Sequence, residues 1–286
     1  MDHVGVPEGD RDEVAELLLC PHCGRDSFER WDDYGEKPEE EIEADRRWAT
    51  WREKFEGRVE DFAAHLRRFP YLGLNHPIGR KISSTIRDFP KTGLGAQSWC
   101  RARRPDGARV FGPMDLNPPP PRHAHAEGRF NHYGQSVFYL AESEQAALQE
   151  TLNADAGEGF AWVQQFDLPV LQDILDLRTS FFAAKTLDLP ILALGLIHSH
   201  LPQLVPEKDS AWKPEYFVPR FIADCARAQG FRGIIFNSQR HYEVNLVLFS
   251  WGDLKITPTG EPKLVLMKKL PSDDFAGGPN EVDLDF

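Results

Sequence analysis

Residues 137–150 read VFYLAESEQAALQE, and this stretch carries the clearest fold signal in the chain. Its first five residues have the apolar and aromatic composition of a β-strand. Ser143 then predicts the N-cap of a helix that runs to about Asn153. The sequence therefore predicts a strand that turns into a helix, with Tyr139 on the strand and Glu150 on the helix.

Helical and strand patterns recur further along the chain. Apolar residues at helical spacing predict a second helix, which Gly230 ends. Two strands follow, Gly233–Phe236 and Asn245–Phe249, and the second is apolar on both faces, as in the interior of a sheet. The residues at helical spacing are Val218, Phe221, Ile222, Cys225 and Ala226.

The N-terminal part favours one long helix. From Glu39 to Phe69, aromatic and apolar side chains recur every three or four residues, and Pro70 stops the pattern. We interpret this seam as a packing face, with a partner-binding helix as the alternative. Residues 71–97 are rich in Gly and Pro and indicate a boundary. These patterns predict a helical extension (1–90), a larger domain (91–270) and an acidic, flexible tail (271–286).

Composition argues against several classes of protein. The hydrophobic fraction of 41% and the charged fraction of 27% are typical of soluble globular chains. The formal net charge of -12 repels phosphate backbones, so direct nucleic-acid binding is not expected. The polar opening, Met1 to Gly9, does not resemble a secretion leader, and no apolar run approaches the ~20 residues of a membrane span. Irregularly spread cysteines fit a reducing compartment, so we expect a cytoplasmic protein.

Cysteine and histidine pairs give limited metal signals. Cys20 and Cys23, in a Cys-Pro-His-Cys-Gly knuckle, predict half of a structural zinc site that histidines such as His3 or His22 would complete. A turn with free thiols is the alternative. The pairs His123/His125 and His198/His200 are weak candidates for a catalytic metal, the second only in an extended segment.

Glu150 is the first candidate for chemistry. On a helix it lies at the margin of an apolar stripe, next to the small side chains of Ala146 and Ala147. A carboxylate in that place suits acid/base or cation-stabilising work, because a neighbouring segment or a ligand can approach closely. An ordinary solvated helix carboxylate is the alternative.

Other polar residues lie near this corner or at a strand end. Tyr139 is a candidate to stack on a flat heteroaromatic ring, or else a core residue. Arginines suit a pyrophosphate, and Ser238, in the turn between two strands, suits hydrogen bonding. The chain has no Gly-rich phosphate loop and no Gly-x-Gly-x-x-Gly motif, so any nucleotide must bind by another fold. The arginines are Arg101, Arg103 and Arg129.

Short motifs follow one another between about Ser98 and Phe249, and together they resemble the RES domain family, which is named for its Arg, Glu and Ser. The order of the series is more specific than any single motif. The motifs are Cys100-Arg101-Ala102-Arg103, Gly128-Arg129-Phe130-Asn131 with Gly134, Phe138-Tyr139-Leu140-Ala141, Ala147-Leu148 with Glu150, Gly233 to Ser238, and Asn245 to Phe249.

The resemblance implies an α+β fold similar to that of ADP-ribosyltransferases, with a mixed β-sheet core and flanking helices after a mainly helical N-terminal domain. It implies a toxin that degrades NAD by hydrolysis or phosphorolysis of the nicotinamide–ribose bond and needs no further cofactor. Some relatives instead ADP-ribosylate a protein. A third hypothesis is that the chain is an interaction module whose catalytic site has decayed. The partners implied are NAD and a cognate antitoxin, and a homo-oligomer stays open.

The resemblance also assigns roles by position. Glu150 would stabilise the ribosyl cation or orient the acceptor, and Ser238 would hydrogen-bond the nicotinamide ribose or amide. Arg129 and Arg101 would bind the NAD phosphates, and Tyr139 would pack on the nicotinamide side. The expected catalytic residues are therefore Arg129, Glu150 and Ser238, and the expected NAD-binding residues are Arg101, Arg103, Asn131, Tyr139 and Asn245.

Overall fold

The computed structural model describes residues 7–17, 39–151, 158–178, 189–203, 205 and 212–268. The chain divides into two compact units, residues 1–43 and 44–286. The domain boundary expected near residue 90 stays a prediction. Within the first unit, the described residues 7–17 form a short 3-10 turn and helix α1, Arg11–Glu16.

The long N-terminal helix is present, in three consecutive parts. Helix α2 spans Glu39–Trp51, a π-helical stretch follows at Arg52–Glu56, and helix α3 spans Gly57–Arg68. The seam residues Trp51, Val59, Phe62 and Leu66 are buried, which confirms the seam as a packing face over most of its length. Phe69 is 45% exposed, however, because the chain leaves the helix just before it.

Helix α4, Pro77–Arg87, lies inside the segment expected to be an irregular boundary. His76 caps it, since its Nδ1 accepts a hydrogen bond from the backbone N–H of Ile78 at 3.2 Å, and Pro77 takes the first helical position. Ile78, Ile82 and Ile86 are buried four residues apart on one side of the helix. This spacing was the signal of a helix, and the Gly and Pro content concealed it.

The strands of the described chain form one eight-stranded sheet. Its spatial order is β1-β5-β6-β7-β3-β2-β4-β8. The pairing of β5 with β6 is parallel and the other pairings are antiparallel, so the sheet is mixed. The bounds are β1 Thr92–Leu94, β2 Gln97–Arg103, β3 Phe138–Ala141, β4 Glu158–Leu168, β5 Leu171–Asp176, β6 Gly233–Asn237, β7 Val244–Leu248 and β8 Thr257–Lys268.

Helices cover one face of this sheet. Helices α5 (Glu144–Thr151), α6 (Ile191–Ser199) and α7 (Phe217–Ala228) follow the first four in the chain. The apolar sides of α3, α4, α6 and α7 share one core with β6 and β7. Small side chains bring α5 close to β2 and β3, namely Cys100, Ala102, Ala141, Ala146 and Ala147. We call this side of the sheet the helical face.

The opposite side is packed mainly by aromatic and aliphatic side chains from the strands and loops, and we call it the aromatic face. It includes Trp99, Phe138 and Phe166, against which loop residue Phe111 also packs. The expected α+β class, a mixed sheet flanked by helices, is confirmed. Within the described part of the chain, every helix is too short or too polar to cross a membrane.

Candidate active site

Glu150, near the end of α5, receives two hydrogen bonds on the same carboxylate oxygen. The hydroxyl of Ser238 donates to Oε1 at 2.6 Å, and the side-chain amide of Asn245 donates to Oε1 at 2.6 Å. Asn245 is only 6% exposed, while Glu150 and Ser238 are half-buried. The structure therefore brings three of the expected site residues into direct contact.

The connection between β6 and β7 places both donors. Asn237 and Val244 pair across the two strands, so Ser238 follows β6 directly and Asn245 lies one residue inside β7. The backbone N–H of Ser238 donates to the Glu243 carbonyl at 3.0 Å, and that of Arg240 donates to the Ser238 hydroxyl at 3.1 Å. The Ser238 hydroxyl is thus both acceptor and donor, which fixes its direction.

The start of α5 is tied to the same connection. The Ser143 hydroxyl accepts from the Ala146 N–H at 3.1 Å, as an N-cap does, and it also donates to the carboxylate of Glu243. The predicted cap is thereby confirmed, although the helix begins at Glu144 and is described only as far as Thr151. Because α5 is held at both ends by the β6–β7 connection, Glu150 has little freedom to move away from its donors.

A second cluster of expected residues surrounds the hydroxyl of Tyr139. This hydroxyl donates to Oδ1 of Asn131 at 3.0 Å and accepts from the Phe130 N–H at 2.9 Å. The Gly128 N–H donates to the same Oδ1 at 3.0 Å and closes a tight turn, Gly128–Asn131. Burial raises the pKa of Tyr139 to about 12, so the hydroxyl stays neutral at physiological pH.

Strand register places Tyr139 on the same side as the Glu150 cluster. Residues that pair directly across antiparallel strands point to the same face. Ala141 pairs with Asn245 and Tyr139 pairs with Val247, so all four belong to the helical face. Tyr139 and Asn245 are therefore diagonal neighbours on one face.

Arg129 lies in the Gly128–Asn131 turn and is engaged with the chain that follows α6. Its guanidinium donates to the carbonyl of Leu201 and, at 3.3 Å, to that of Gln203. It also lies over the ring of Tyr216, 5.4 Å from the centroid. Two of its nitrogens thus face backbone carbonyls, and a bound phosphate would have to replace those carbonyls.

Arg101 and Arg103 are not brought to this site. Cys100 pairs with Ala141 and belongs to the helical face, so Arg101, the next residue along β2, points to the aromatic face. There its guanidinium lies over Phe138, 5.4 Å from the centroid, and Arg103 lies over Phe111. Burial, with the charge of Arg103 beside it, lowers the pKa of Arg101 to about 10. Spacing alone did not tell which face of β2 the arginines occupy.

The metal candidates are placed only in part. Cys20, Cys23, His3 and His22 lie outside the described residues. His198 is inside α6 and His200 directly follows it, so the pair is not in the extended segment that a shared metal would need. No group of three His, Cys, Asp or Glu side chains suited to a metal occurs among the residues that the structure describes.

Sequence reasoning missed two arginines of α7. Arg220 donates from Nε to the Gly128 carbonyl, and Arg227 donates from Nη2 to the Phe130 carbonyl, both at 2.9 Å. The apolar stripe of this helix was recognised and confirmed, but its cations were not singled out. The available signal was their spacing, because residues seven apart return to the same side of a helix.

A chain in the crystal structure of the M. tuberculosis MbcT–MbcA toxin–antitoxin complex is similar, with 16% identity and a TM-score of 0.37, covering 66% of this chain and 92% of that one. A search of curated proteins found no match. The RES domain family model matches residues 98–262, more than half of the 286 residues. The chain therefore belongs to the RES domain family.

Proposed function

We propose that this protein cleaves NAD at the nicotinamide–ribose bond, with water or phosphate as the acceptor, and acts as a toxin held in check by a cognate antitoxin. Membership of the RES domain family supports an NAD-directed role, because the resemblance of the sequence to that family implied one. The observation that carries the proposal is the carboxylate of Glu150, held by Ser238 and Asn245 on one oxygen.

The reaction needs a fixed negative charge beside the sugar. Breaking the bond to nicotinamide leaves an oxocarbenium-like ribose, and a preorganised carboxylate stabilises that charge without having to rearrange as it develops. Two donors on Oε1 restrict the rotation of the Glu150 carboxylate. Glu150 would accordingly face the ribose. Ser238 would form a hydrogen bond with the ribose or the nicotinamide amide in place of one of its present hydrogen bonds.

The remaining residues would bind the two ends of NAD. Tyr139, on the same face as Asn245, would pack on the nicotinamide side, and Asn131 would keep the Tyr139 hydroxyl in place. Arg129 would bind the pyrophosphate by exchanging the carbonyls of Leu201 and Gln203 for phosphate oxygens, a pairing that the guanidinium fork suits. Arg101 and Arg103 have no part in this site, because they lie on the aromatic face.

Incubation of the purified protein with NAD tests the proposal. Nicotinamide release is followed in buffer without phosphate and with phosphate, which separates hydrolysis from phosphorolysis. Labelled NAD with a cell lysate distinguishes a further outcome, since transfer of label to one discrete protein indicates ADP-ribosylation instead. If no nicotinamide appears under either condition and calorimetry detects no NAD binding, the proposed activity is wrong and a decayed site is the better account.

A further inference from the structure

Two arginines of α7 hold the turn that carries Arg129. Arg220 and Arg227 lie seven residues apart, so both project from the same side of the helix. Nε of Arg220 donates to the Gly128 carbonyl and Nη2 of Arg227 to the Phe130 carbonyl, each at 2.9 Å. These two carbonyls belong to the residues immediately before and after Arg129.

Arg220 is buried to an unusual degree for an arginine. Its side chain is 1% exposed, and its Nη1 lies 2.8 Å from the carboxylate of Glu127. The ring centroids of Tyr216 and Phe217 lie 5.9 and 5.7 Å from its Cζ. Taking a guanidinium out of water costs free energy that one ion pair does not readily recover. A buried arginine in this place therefore suggests a role in setting geometry.

The Gly128–Asn131 turn, which Arg220 and Arg227 hold, positions the hydroxyl of Tyr139. The Phe130 N–H donates to that hydroxyl, and Asn131 accepts from it. A movement of the Gly128 or Phe130 carbonyl would move these groups as well, because they belong to the same four residues. The helix α7 is thus connected to Tyr139 and Arg129 through the turn, without touching the Glu150 cluster in any described contact.

We propose that Arg220 and Arg227 are positioning residues, which fix the Gly128–Asn131 turn and through it Tyr139 and Arg129. Their effect on catalysis rests on the proposed function, whereas their effect on the turn does not. Lysine is the informative replacement. It keeps the charge, but its single ammonium does not reproduce the planar fork by which Arg220 contacts the Gly128 carbonyl and Glu127 together.

Amide hydrogen exchange tests the positioning directly in the full-length Arg220→Lys and Arg227→Lys variants. We expect faster exchange at Gly128 and Phe130, whose N–H groups donate to Asn131 and Tyr139, and unchanged exchange at Ile235, a buried residue of the interior strand β6. Arg87→Lys is the matched control, because Arg87 is exposed at the end of α4 and pairs only with Asp88 among the described contacts. If exchange in the turn stays at the control value, or if Ile235 accelerates as much as the turn, the proposal is wrong.

Kinetics give a second readout. A displaced turn should raise KM for NAD and lower kcat/KM by about 10²-fold in Arg220→Lys, since a shift of about 1 Å is enough for such a loss. A variant that is only partly unfolded instead loses kcat in proportion to its unfolded fraction and keeps the parental KM. In Arg220→Ala, added guanidinium should restore activity, whereas it should leave the near-parental activity of Arg87→Ala unchanged. An unchanged KM without rescue refutes the effect of the two arginines on catalysis. An inactive parent protein refutes the proposed function instead, and the exchange experiment then decides the role of the arginines in the turn.

Discussion

The side-chain amide of Asn245 donates to Oε1 of Glu150 at 2.6 Å, although 95 positions separate the two residues in the chain. Asn245 begins the pairing of β7 with β3, and Glu150 stands on the helix that directly follows β3. The contact therefore depends on one strand register. A slip of β7 by one residue against β3 would turn the Asn245 amide to the aromatic face. Of the two hydrogen bonds on Oε1 of Glu150, only that from Ser238 would then remain.

Replacing Glu150 with Gln should abolish NAD cleavage and relieve any growth inhibition. The Gln side chain retains an oxygen that can accept from Ser238 and Asn245, but it lacks the negative charge that the ribosyl cation requires. Deletion of one preorganised electrostatic group commonly costs about 10²–10³-fold in rate. Nicotinamide release measures the loss, and circular dichroism checks the fold.

Glu144→Gln provides the matched control for that experiment. Glu144 lies in the exposed first turn of the same helix, so its replacement should leave turnover near the parental value. Parental turnover in Glu150→Gln would remove Glu150 from the mechanism.

Replacing Asn245 with Asp should make the stability of the protein depend on pH. Two carboxylates at hydrogen-bonding distance do not both ionise readily, so the pKa of one is raised above its unfolded value of about 4. A raised folded-state pKa contributes stability at low pH that is lost as pH rises. We therefore expect a larger loss of stability, relative to the parent, at pH 8 than at pH 5.

Urea denaturation at the two pH values measures this effect. The exposed Asn75→Asp serves as control and should show little change between them. An equal loss for Asn245→Asp at pH 5 and pH 8 would mean that the two carboxylates are not in contact.

The parts of the site that lie along one element were accessible from the sequence. The strand with Tyr139, the helix with Glu150 and the turn with Ser238 each have a local pattern, and the family resemblance linked them. The face to which Arg101 points was not accessible, because it depends on the register of β2 against β3. The contacts of Arg129 were not accessible either, since they are made with carbonyls more than seventy positions away.

The fold shows the same division between local and distant information. Long apolar periodicity predicted α2, α3 and α7, and apolar runs predicted β3, β6 and β7. Helix α4 was missed because Pro77 and Gly79 lie inside it, although Pro77 begins the helix and Gly79 is needed for close packing. A Cβ at Gly79 would lie 2.0 Å from the Gly73 carbonyl oxygen.

Replacing Gly128 with Ala should damage both stability and activity. A Cβ at this position would lie 2.5 Å from Oδ1 of Asn131 and 2.6 Å from the hydroxyl of Tyr139. Both atoms are fixed by hydrogen bonds, so the turn must shift. We expect a loss of about 1–3 kcal/mol in unfolding free energy, as for other overpacked sites, and slower nicotinamide release.

The comparison for this variant is Gly95→Ala. Gly95 is exposed and has no atom within 4 Å of a built Cβ, so its substitution should change neither property. A parental melting curve for Gly128→Ala would show that the turn tolerates a wider opening than the structure has.

His198 should make the protein less stable in mild acid. Burial in α6 lowers the pKa of His198 to about 4, whereas an unfolded histidine titrates near 6.5. Between these values the unfolded chain binds a proton that the folded chain does not, so stability falls as pH drops from about 6.5 towards 4. The pKa of His200 is also lowered, chiefly by burial, although the charge of Glu60 opposes this shift.

The variant His198→Gln removes one of the two groups and should show a shallower fall in unfolding free energy between pH 7 and pH 5 than the parent. The exposed His125→Gln should retain the parental slope. Urea denaturation gives both slopes, and imidazole NMR signals of His198 that titrate near pH 6.5 in the folded protein would contradict the burial on which the expectation depends.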